Sequence, residues 1–380
     1  MIKNNNREMV KGTFLAPNYY KHFKCKGGEC RDSCCKEWKV NISMNQYFLL
    51  HGLNCKKSVK EKIDKTFKPV LNPTVDRYAE IVHNQDGDCP LHKVDGYCLL
   101  HEACGEEVLP WVCRYYPRGP RIDYAYEVSC ANSCEKTLEL LFSNNEEIMF
   151  ESVNLSFLIN KNFKEKTEAE RFNYSHIRNT IFETLSDRNF SLAERIINLG
   201  IYIKDLEEGE KLQISKRDFF LLTNDKNINQ IFEVLNQIID GFVDRYPRLT
   251  NELLESKKIF TSNDLEKVYL NNLEAINFKF PDLEIYFEKM LINDLFFKQF
   301  PFQANKSFWN QYLALAGTYV LLRYTVIGLV EKENNLNDLV DILSRAYTVI
   351  SHSDFDNLIS SLMISLKVSG IDSLKKIIKI

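Results

Sequence analysis

The sequence lacks most of the features that sort a chain quickly. Its longest apolar stretch, Tyr312 to Val330, is broken by Arg323 and holds Gly317 and Gly328. A membrane span needs about 20 mostly uncharged residues, so this stretch reads as a buried helix. Neither sign of charge dominates: 49 Lys and Arg stand against 52 Asp and Glu, a formal net charge of −3. That balance gives no general electrostatic reason to hold nucleic acid. Glycine is sparse, 14 in 380 residues, which excludes collagen-like and low-complexity chains. No strand is followed by G-x-G-x-x-G, so the usual nucleotide-binding turn is missing. Met1 to Val10 is polar and carries Asn4, Asn5 and Asn6 where a secretory signal would be apolar. The expectation is a chain in a reducing cytosol, where disulfides seldom persist. Cysteine is absent after Cys134.

Before that point cysteine is dense. All 11 lie between Cys25 and Cys134. The front group is Cys25-Lys-Gly-Gly-Glu-Cys30-Arg-Asp-Ser-Cys34-Cys35, and Cys89, Cys98, Cys104, Cys113, Cys130 and Cys134 follow. An odd number argues against a pure disulfide framework. C-x2-C pairs are absent, so the zinc-finger spacing is not met. Grouped thiolates, with Gly27 and Gly28 letting backbone amides approach sulfur, favour a soft metal or an iron–sulfur cluster. Cys55 alone reads as a small buried hydrophobe. His92 and His101 flank Cys98 and make a mixed Cys/His zinc site the competing reading.

The length suits two or three units of roughly 100–200 residues, and the chain divides by pattern. Residues 1–145 are irregular and rich in turns. Leu91 to Leu100 reads as a two-residue hairpin turning at Asp95-Gly96, which sets Cys98 opposite Lys93. Cys89 then lies about 13 Å from Cys98 unless Pro90 bends the strand. Arg121 to Val128 alternates and reads as another strand. From residue 146 helical period takes over. Ile231, Leu235, Ile238 and Phe242 form one stripe. Thr167 with Glu170, and Ser191 with Glu194, have capping-box spacing. Pro281 opens a helix running toward Phe297. The expected fold is α+β and predominantly helical: a small cysteine-rich metal module with short antiparallel strands over 1–145, then an all-α helical domain over 146–380.

The motifs resemble a known family. Tyr20-x2-Phe23-x-Cys25-x4-Cys30-x-Asp32-x-Cys34-Cys35-x2-Trp38 is similar to the front motif of the flagellin lysine N-methylases. Gly87-Asp88-Cys89-Pro90-Leu91, Gly96-Tyr97-Cys98, Gly105-Glu106-x2-Leu109 and Cys113-Arg114-x-Tyr116-Pro117-Arg118 follow the order of that family's second region. Ser133-Cys134-Glu135 looks like its closing motif. Leu283-Glu284-x-Tyr286, Asn293 and Phe300-Pro301-Phe302 resemble its helical half. The resemblance implies eight metal-ligating cysteines: Cys25, Cys30, Cys34, Cys35, Cys89, Cys98, Cys113 and Cys134. Cys55 and Cys104 look like extras, and Cys130 like a variant position. It further implies a cytosolic enzyme with a [4Fe–4S] cluster that passes a methyl group from S-adenosylmethionine to flagellin lysines. One cluster or two would satisfy eight thiols, since each cube takes four.

The radical enzymes' C-x3-C-x2-C is not met, because Cys35 follows Cys34 directly. Direct displacement by a lysine nitrogen needs no radical, so a cluster would scaffold the site or hold the methyl donor. A lysine amine attacks only when neutral, and its ordinary pKa is about 10.4, so desolvation or a proton acceptor is required. Trp111, Tyr115, Tyr116, Glu106, Glu107, Arg114 and Arg118 are the candidate lining groups. Arg323 reads as half of a buried ion pair, with a donor-carboxylate ligand as the other option. The competing functional reading is a non-enzymatic zinc or iron–sulfur module joined to a helical partner-binding domain.

Overall fold

The computed structural model describes residues 7–36, 40–160, 166–209, 228–242, 245, 247–261, 264–303, 306–332 and 334–380. Trp38 and the Asn4–Asn6 run lie outside the described residues. Among those described are 15 α-helices and seven short or medium strands, so the fold is α+β and mostly helical.

Four strands form one sheet. β1 (Arg7–Pro17) runs antiparallel to β7 (Phe150–Asn160) along its whole length, Arg7 facing Asn160 and Pro17 facing Phe150. β1 also lies parallel to β6 (Glu127–Cys130), which pairs antiparallel with β5 (Arg118–Arg121). The three remaining strands, β2 (Asn41–Ile42), β3 (Phe67–Pro69) and β4 (Ala79–Ile81), form a second sheet in the order β2-β4-β3. β7 is an addition to the helical pattern after residue 146. Its apolar alternation Val153, Leu155, Phe157, Ile159 is a strand period, and Phe157 is buried in the core.

The first sheet explains how distant cysteines meet. β1 and β6 are parallel, so their C-terminal ends leave the same edge of the sheet, toward Cys25 and Cys134 respectively. β5 is antiparallel to β6 with Arg118 opposite Cys130, so the chain arriving from Cys113 enters at that edge too. The alternation over Arg121–Val128 is not one strand. β5 ends at Arg121 and β6 begins at Glu127, so the segment is the bend of a hairpin. Ile122 still turns inward, which is why the pattern looked strand-like.

Two cores result. The larger joins Phe14 and Val128 of the sheet to the helices after residue 168, among them Leu283–Lys298 and the nearly wholly buried Phe308–Gly328. Both capping boxes are present, at Thr167 with Glu170 and Ser191 with Glu194. The Ile231, Leu235, Ile238, Phe242 stripe is buried as its period requires. Among the described residues no helix is long and apolar enough to cross a membrane. Arg323 Nε donates to the Ile380 main-chain oxygen at 2.7 Å, and its guanidinium lies over Phe287 and Tyr319. The smaller core is separate, runs from Val40 to Leu100, and has Cys35, Cys55, Cys98 and Cys104 packed against it.

Candidate metal centre

The eight cysteines singled out in the sequence line two adjoining cavities. The larger, about 170 Å³, is bordered by Cys25, Cys30, Cys34, Cys35, Cys89, Cys98 and Cys113. The smaller, about 40 Å³, is bordered by Cys25, Cys30, Cys34 and Cys134. Cys25, Cys30 and Cys34 therefore face both. Cys130, Cys55 and Cys104 line neither. Cys130 is fully buried in the large core and acts as a small hydrophobe. Cys55 is half-buried and packs against the small core.

Local chemistry builds the front loop. The Gly27 amide donates to Cys25 Sγ at 3.4 Å, as expected of a glycine beside sulfur. Gly28 has a different reason to be glycine. A Cβ there would run into the Asp95 carbonyl oxygen and the Tyr97 ring, and one on Gly96 would run into the Gly28 backbone. The front loop thus packs backbone to backbone on the turn that precedes Cys98. That turn is not the two-residue type. Gly96 N donates to Lys93 O and Lys93 N to Tyr97 O, each at 2.9 Å, which makes Val94, Asp95 and Gly96 a three-residue loop. Only Gly96 has positive φ, +80°. The register shifts by one, so Cys98 bridges His92 instead of Lys93. Pro90 does bend the chain: His92 N donates to Cys89 O at 2.8 Å, and Cys89 N to Cys35 O at 2.9 Å. The bend removes the 13 Å separation that an extended strand would impose.

A second clamp holds the loop from the other side. Glu135, with 1% of its side chain exposed, accepts from Lys26 Nζ at 2.5 Å. It also accepts from the backbone amides of Arg31 and Asp32, both at 3.0 Å. Arg31 reaches on to Glu139 at 2.9 Å and Asp341 at 2.8 Å. The closing Ser-Cys-Glu triplet therefore offers a thiol at Cys134 and, one residue later, the carboxylate that fixes the Cys30–Cys34 loop. Behind it, Asn293 donates to Cys130 O at 2.8 Å and to Asn132 Oδ1 at 2.7 Å. Tyr19 donates to Asn293 Oδ1 at 2.6 Å. This buried network ties β6, just before Cys134, to the helix Leu283–Lys298.

The thiols are unequal. Burial pushes Cys30 and Cys89 up to about 12, and raises Cys113 well above the ordinary thiol value. Cys34 is raised because it donates its proton to Cys35 and is desolvated. Cys35 is pushed down to about 6 by that same hydrogen bond, with His92 and Ser33 assisting. The vicinal pair thus carries one thiol and one ready thiolate. Cys34 and Cys113 expose surface although desolvation raises both, as the leading cause for Cys113 and behind the Cys35 hydrogen bond for Cys34, as a concave lining surrounded by protein requires. By donor type the site fits iron or another soft metal. The side chains do not converge as they stand: among the described residues, no group of three or more His, Cys, Asp or Glu is placed to hold a metal ion.

Of the seven suggested lining groups only Tyr116 borders the cavities. Tyr115 turns to β7, where the Leu158 amide donates to its hydroxyl at 3.3 Å. Trp111 packs on Tyr115 at 4.2 Å. Arg114 faces Glu106 at 3.7 Å, Glu107 is exposed, and Arg118 lies over Phe23. His101 borders the larger cavity, as does His83, whereas His92 sits beside Ser33 at 3.4 Å. Sequence reasoning missed His83, Tyr97 and the helix Leu336–His352. Ser344, Thr348 and His352 of that helix border the smaller cavity. Ser133 Oγ lies 3.0 Å from His352 Nε2 and accepts from the Tyr116 hydroxyl at 3.1 Å. Nothing in the sequence around His352 announces this, since the partners are more than 200 residues away.

A thiol-lined pocket between a small irregular core and a helical body defines a class of cysteine-rich α+β proteins. Residues 178–380 match the model of the FliB lysine N-methylase C-terminal domain. This is more than half of the chain, which belongs to the FliB lysine N-methylase family. A lysine-N-methylase of Salmonella choleraesuis (strain SC-B67) is 29% identical over 107 residues, 28% of this chain and 26% of that protein. The flagellar biosynthetic protein FliU of Salmonella muenchen is 28% identical over 110 residues, 28% of this chain and 62% of that protein. The chain thus spans about a quarter of the first relative and less than two thirds of the second. No solved structure matches it.

Proposed function

We propose that this chain is an S-adenosylmethionine-dependent protein lysine N-methyltransferase that acts on flagellin in the cytoplasm and depends on a cysteine-bound [4Fe–4S] cluster. The carrying observation is that eight thiols from separate stretches line two joined cavities in a chain of this family. Cys25, Cys30, Cys34, Cys35, Cys89, Cys98, Cys113 and Cys134 are the residues that would hold the cluster. When bound, it would order the pocket and offer iron as a Lewis acid to the amino and carboxylate groups of the methyl donor.

The chain's own residues meet the remaining needs. Tyr97, Tyr116 and Phe67 present ring faces or edges to the larger cavity, and aromatic faces attract sulfonium and methylammonium cations by about 0.5–2 kcal/mol. A lysine amine entering beside Tyr116 leaves water, which favours its neutral, nucleophilic form. His352 keeps an exposed edge, yet desolvation by the protein around its ring, with Lys298 second, lowers it to about 4. Its uncharged ring, with Ser133, accepts hydrogen bonds in the smaller cavity without adding a cation.

The test is transfer of labelled methyl from S-adenosylmethionine to flagellin by anaerobically purified protein, with iron and sulfide analysis of the same sample. Transfer that is abolished in Cys30→Ala and Cys34→Ala, from brown protein holding iron and sulfide, supports the reading. Colourless protein with stoichiometric zinc removes the cluster. Reconstituted protein that binds no S-adenosylmethionine by calorimetry makes the chain a metal module with a helical partner-binding domain instead.

A further inference from the structure

Tyr116 borders both cavities, and its hydroxyl begins a chain of contacts that crosses the fold. The hydroxyl lies 3.1 Å from Ser133 Oγ, which in turn lies 3.0 Å from His352 Nε2. The three residues come from separate places. Tyr116 follows the helix Trp111–Tyr115, Ser133 follows β6, and His352 closes the helix Leu336–His352. That last helix is fixed to the front loop by Asp341, which accepts from Arg31 at 2.8 Å. Among the described residues the Ser133 hydroxyl hydrogen-bonds only to Tyr116 and His352. A phenol is a stronger acid than an aliphatic hydroxyl, and an imidazole nitrogen is a stronger acceptor than either oxygen. The protons therefore run one way: Tyr116 donates to Ser133, and Ser133 donates to His352 Nε2. The desolvation that keeps the His352 ring uncharged leaves that nitrogen able to accept. The larger cavity supplies a complementary feature. Val40, Phe67, Ile81, Leu91 and Leu100 give it apolar walls around about 170 Å³, which suit an unbranched chain of methylenes, and Tyr116 stands where the two cavities join.

We propose that Tyr116 grips the acceptor amine, and that Ser133 and His352 are positioning residues that keep its hydroxyl proton out of the larger cavity. This rests on the methyl-transfer reading and deepens it. A neutral primary amine has two N–H groups and one lone pair. The lone pair has to stay free to attack the methyl carbon, so the amine is best held by an N–H. With its single proton committed to Ser133, the Tyr116 oxygen offers lone pairs and accepts that N–H. Turned inward, the same hydroxyl would donate to the nitrogen and occupy the pair that has to react. In the transfer, the amine has already released its extra proton to solvent. Its nitrogen forms a bond to the methyl carbon of S-adenosylmethionine, the carbon–sulfur bond breaks, and sulfur keeps the electron pair as a neutral thioether. Nitrogen takes up the positive charge that sulfur gives up. The acceptor class is an unbranched primary alkylamine, the end of a lysine side chain.

The test uses the anaerobically purified full chain. Saturation-transfer NMR measures binding of n-butylamine, and labelled methyl transfer to flagellin gives kcat and KM. His352→Leu and Ser133→Ala should each lower kcat by about threefold to tenfold, the effect of one hydrogen bond, with KM for flagellin unchanged. Both should still bind n-butylamine. His352→Gln, which keeps an acceptor at similar reach, should recover kcat to within about twofold of the parent. Tyr116→Phe should weaken n-butylamine binding by about threefold or more. Iron per chain and the far-UV helical signal should equal the parent's throughout. If His352→Leu loses either, Ser133→Ala, which removes one oxygen, carries the test. A parent that methylates flagellin while both variants keep its kcat, or raise KM in step with the loss, overturns the positioning chain and leaves the methyltransferase standing. A parent that transfers no methyl group, yet binds n-butylamine more weakly after Tyr116→Phe, removes the methyl-transfer reading while the amine site holds. Equal n-butylamine binding by the parent and Tyr116→Phe overturns the amine site itself.

Discussion

The two cores of this molecule are held by different means. The larger is continuous helix on helix, with Tyr312, Tyr324, Tyr347, Phe242 and Phe287 fully buried and the helix Phe308–Gly328 threaded through its middle. Apolar area alone is ample there. The smaller core has strands of two or three residues and its longest helix is ten residues, Lys57–Thr66. It also borders a cavity of about 170 Å³. A core of that size is marginal without a metal or another cross-link. The difference separates two kinds of order: the large core is held by apolar packing, and the small one borders the thiol-lined cavity and is fixed by polar clamps.

Removing metal is the strongest way to break the comparison. Metal binding to thiols is folding free energy, and occupancy at a thousandfold over the dissociation constant contributes about 4 kcal/mol. Chelation of the purified protein should therefore speed amide exchange across 40–112 by about a thousandfold, while the helices after residue 283 keep their protection. Equal loss in both regions would show that the cores are one cooperative unit.

Next comes Glu135→Gln. The variant removes the charge from a buried group that accepts from two backbone amides and Lys26. Hydrogen bonds to charged groups contribute about 1.5–3 kcal/mol. Iron per chain should fall severalfold with the far-UV helical signal unchanged; unchanged iron would show that the clamp does not order the Cys30–Cys34 loop. Gly28→Ala should have a similar or slightly smaller effect, about 1–3 kcal/mol of overpacking, because the added methyl meets the Asp95 carbonyl. Its mark is lost iron together with faster exchange at 93–98. Gly105→Ala makes a useful contrast: its φ of +88° is strained for alanine, but no atom lies nearby.

How far the sequence reveals this arrangement follows from the same contrast. Helices announce themselves by period and caps, so Thr167, Ser191, the Ile231 stripe and the Pro281 start are legible. The eight cavity thiols are legible too, from density and from family resemblance. What is not legible is set by long-range pairing. Whether Arg121–Val128 is a strand or a bend depends on β5 pairing with β6. The one-residue register shift at Cys98 depends on a turn type that Asp95-Gly96 permits in two forms. Tyr116 was separable from Tyr115 only by helix phase: the helix Trp111–Tyr115 ends between them, sending one ring to β7 and the other to the cavity. His352 carries no local signal at all, because its role comes from Ser133 and Tyr116 across the fold.

The smallest effect is confined to one sulfur. Cys35 is lowered to about 6 by the proton that Cys34 donates, with His92 and Ser33 adding to it. Metal-free, reduced protein should therefore carry its thiolate at Cys35 while Cys34 stays protonated. A depressed folded pKa stabilises the fold fully above the unfolded thiol value and loses that contribution as pH falls through about 6. Alkylation of Cys35 by iodoacetamide, followed by mass spectrometry, should be level from pH 8 to 7 and then fall about tenfold per unit below 6. Cys34→Ser weakens the donated hydrogen bond and should move that midpoint upward, leaving the helical body untouched. A midpoint for Cys35 near the ordinary thiol value, unchanged in Cys34→Ser, would mean that the vicinal pair does not share a proton, and the small core would then have no thiolate ready to receive metal at neutral pH.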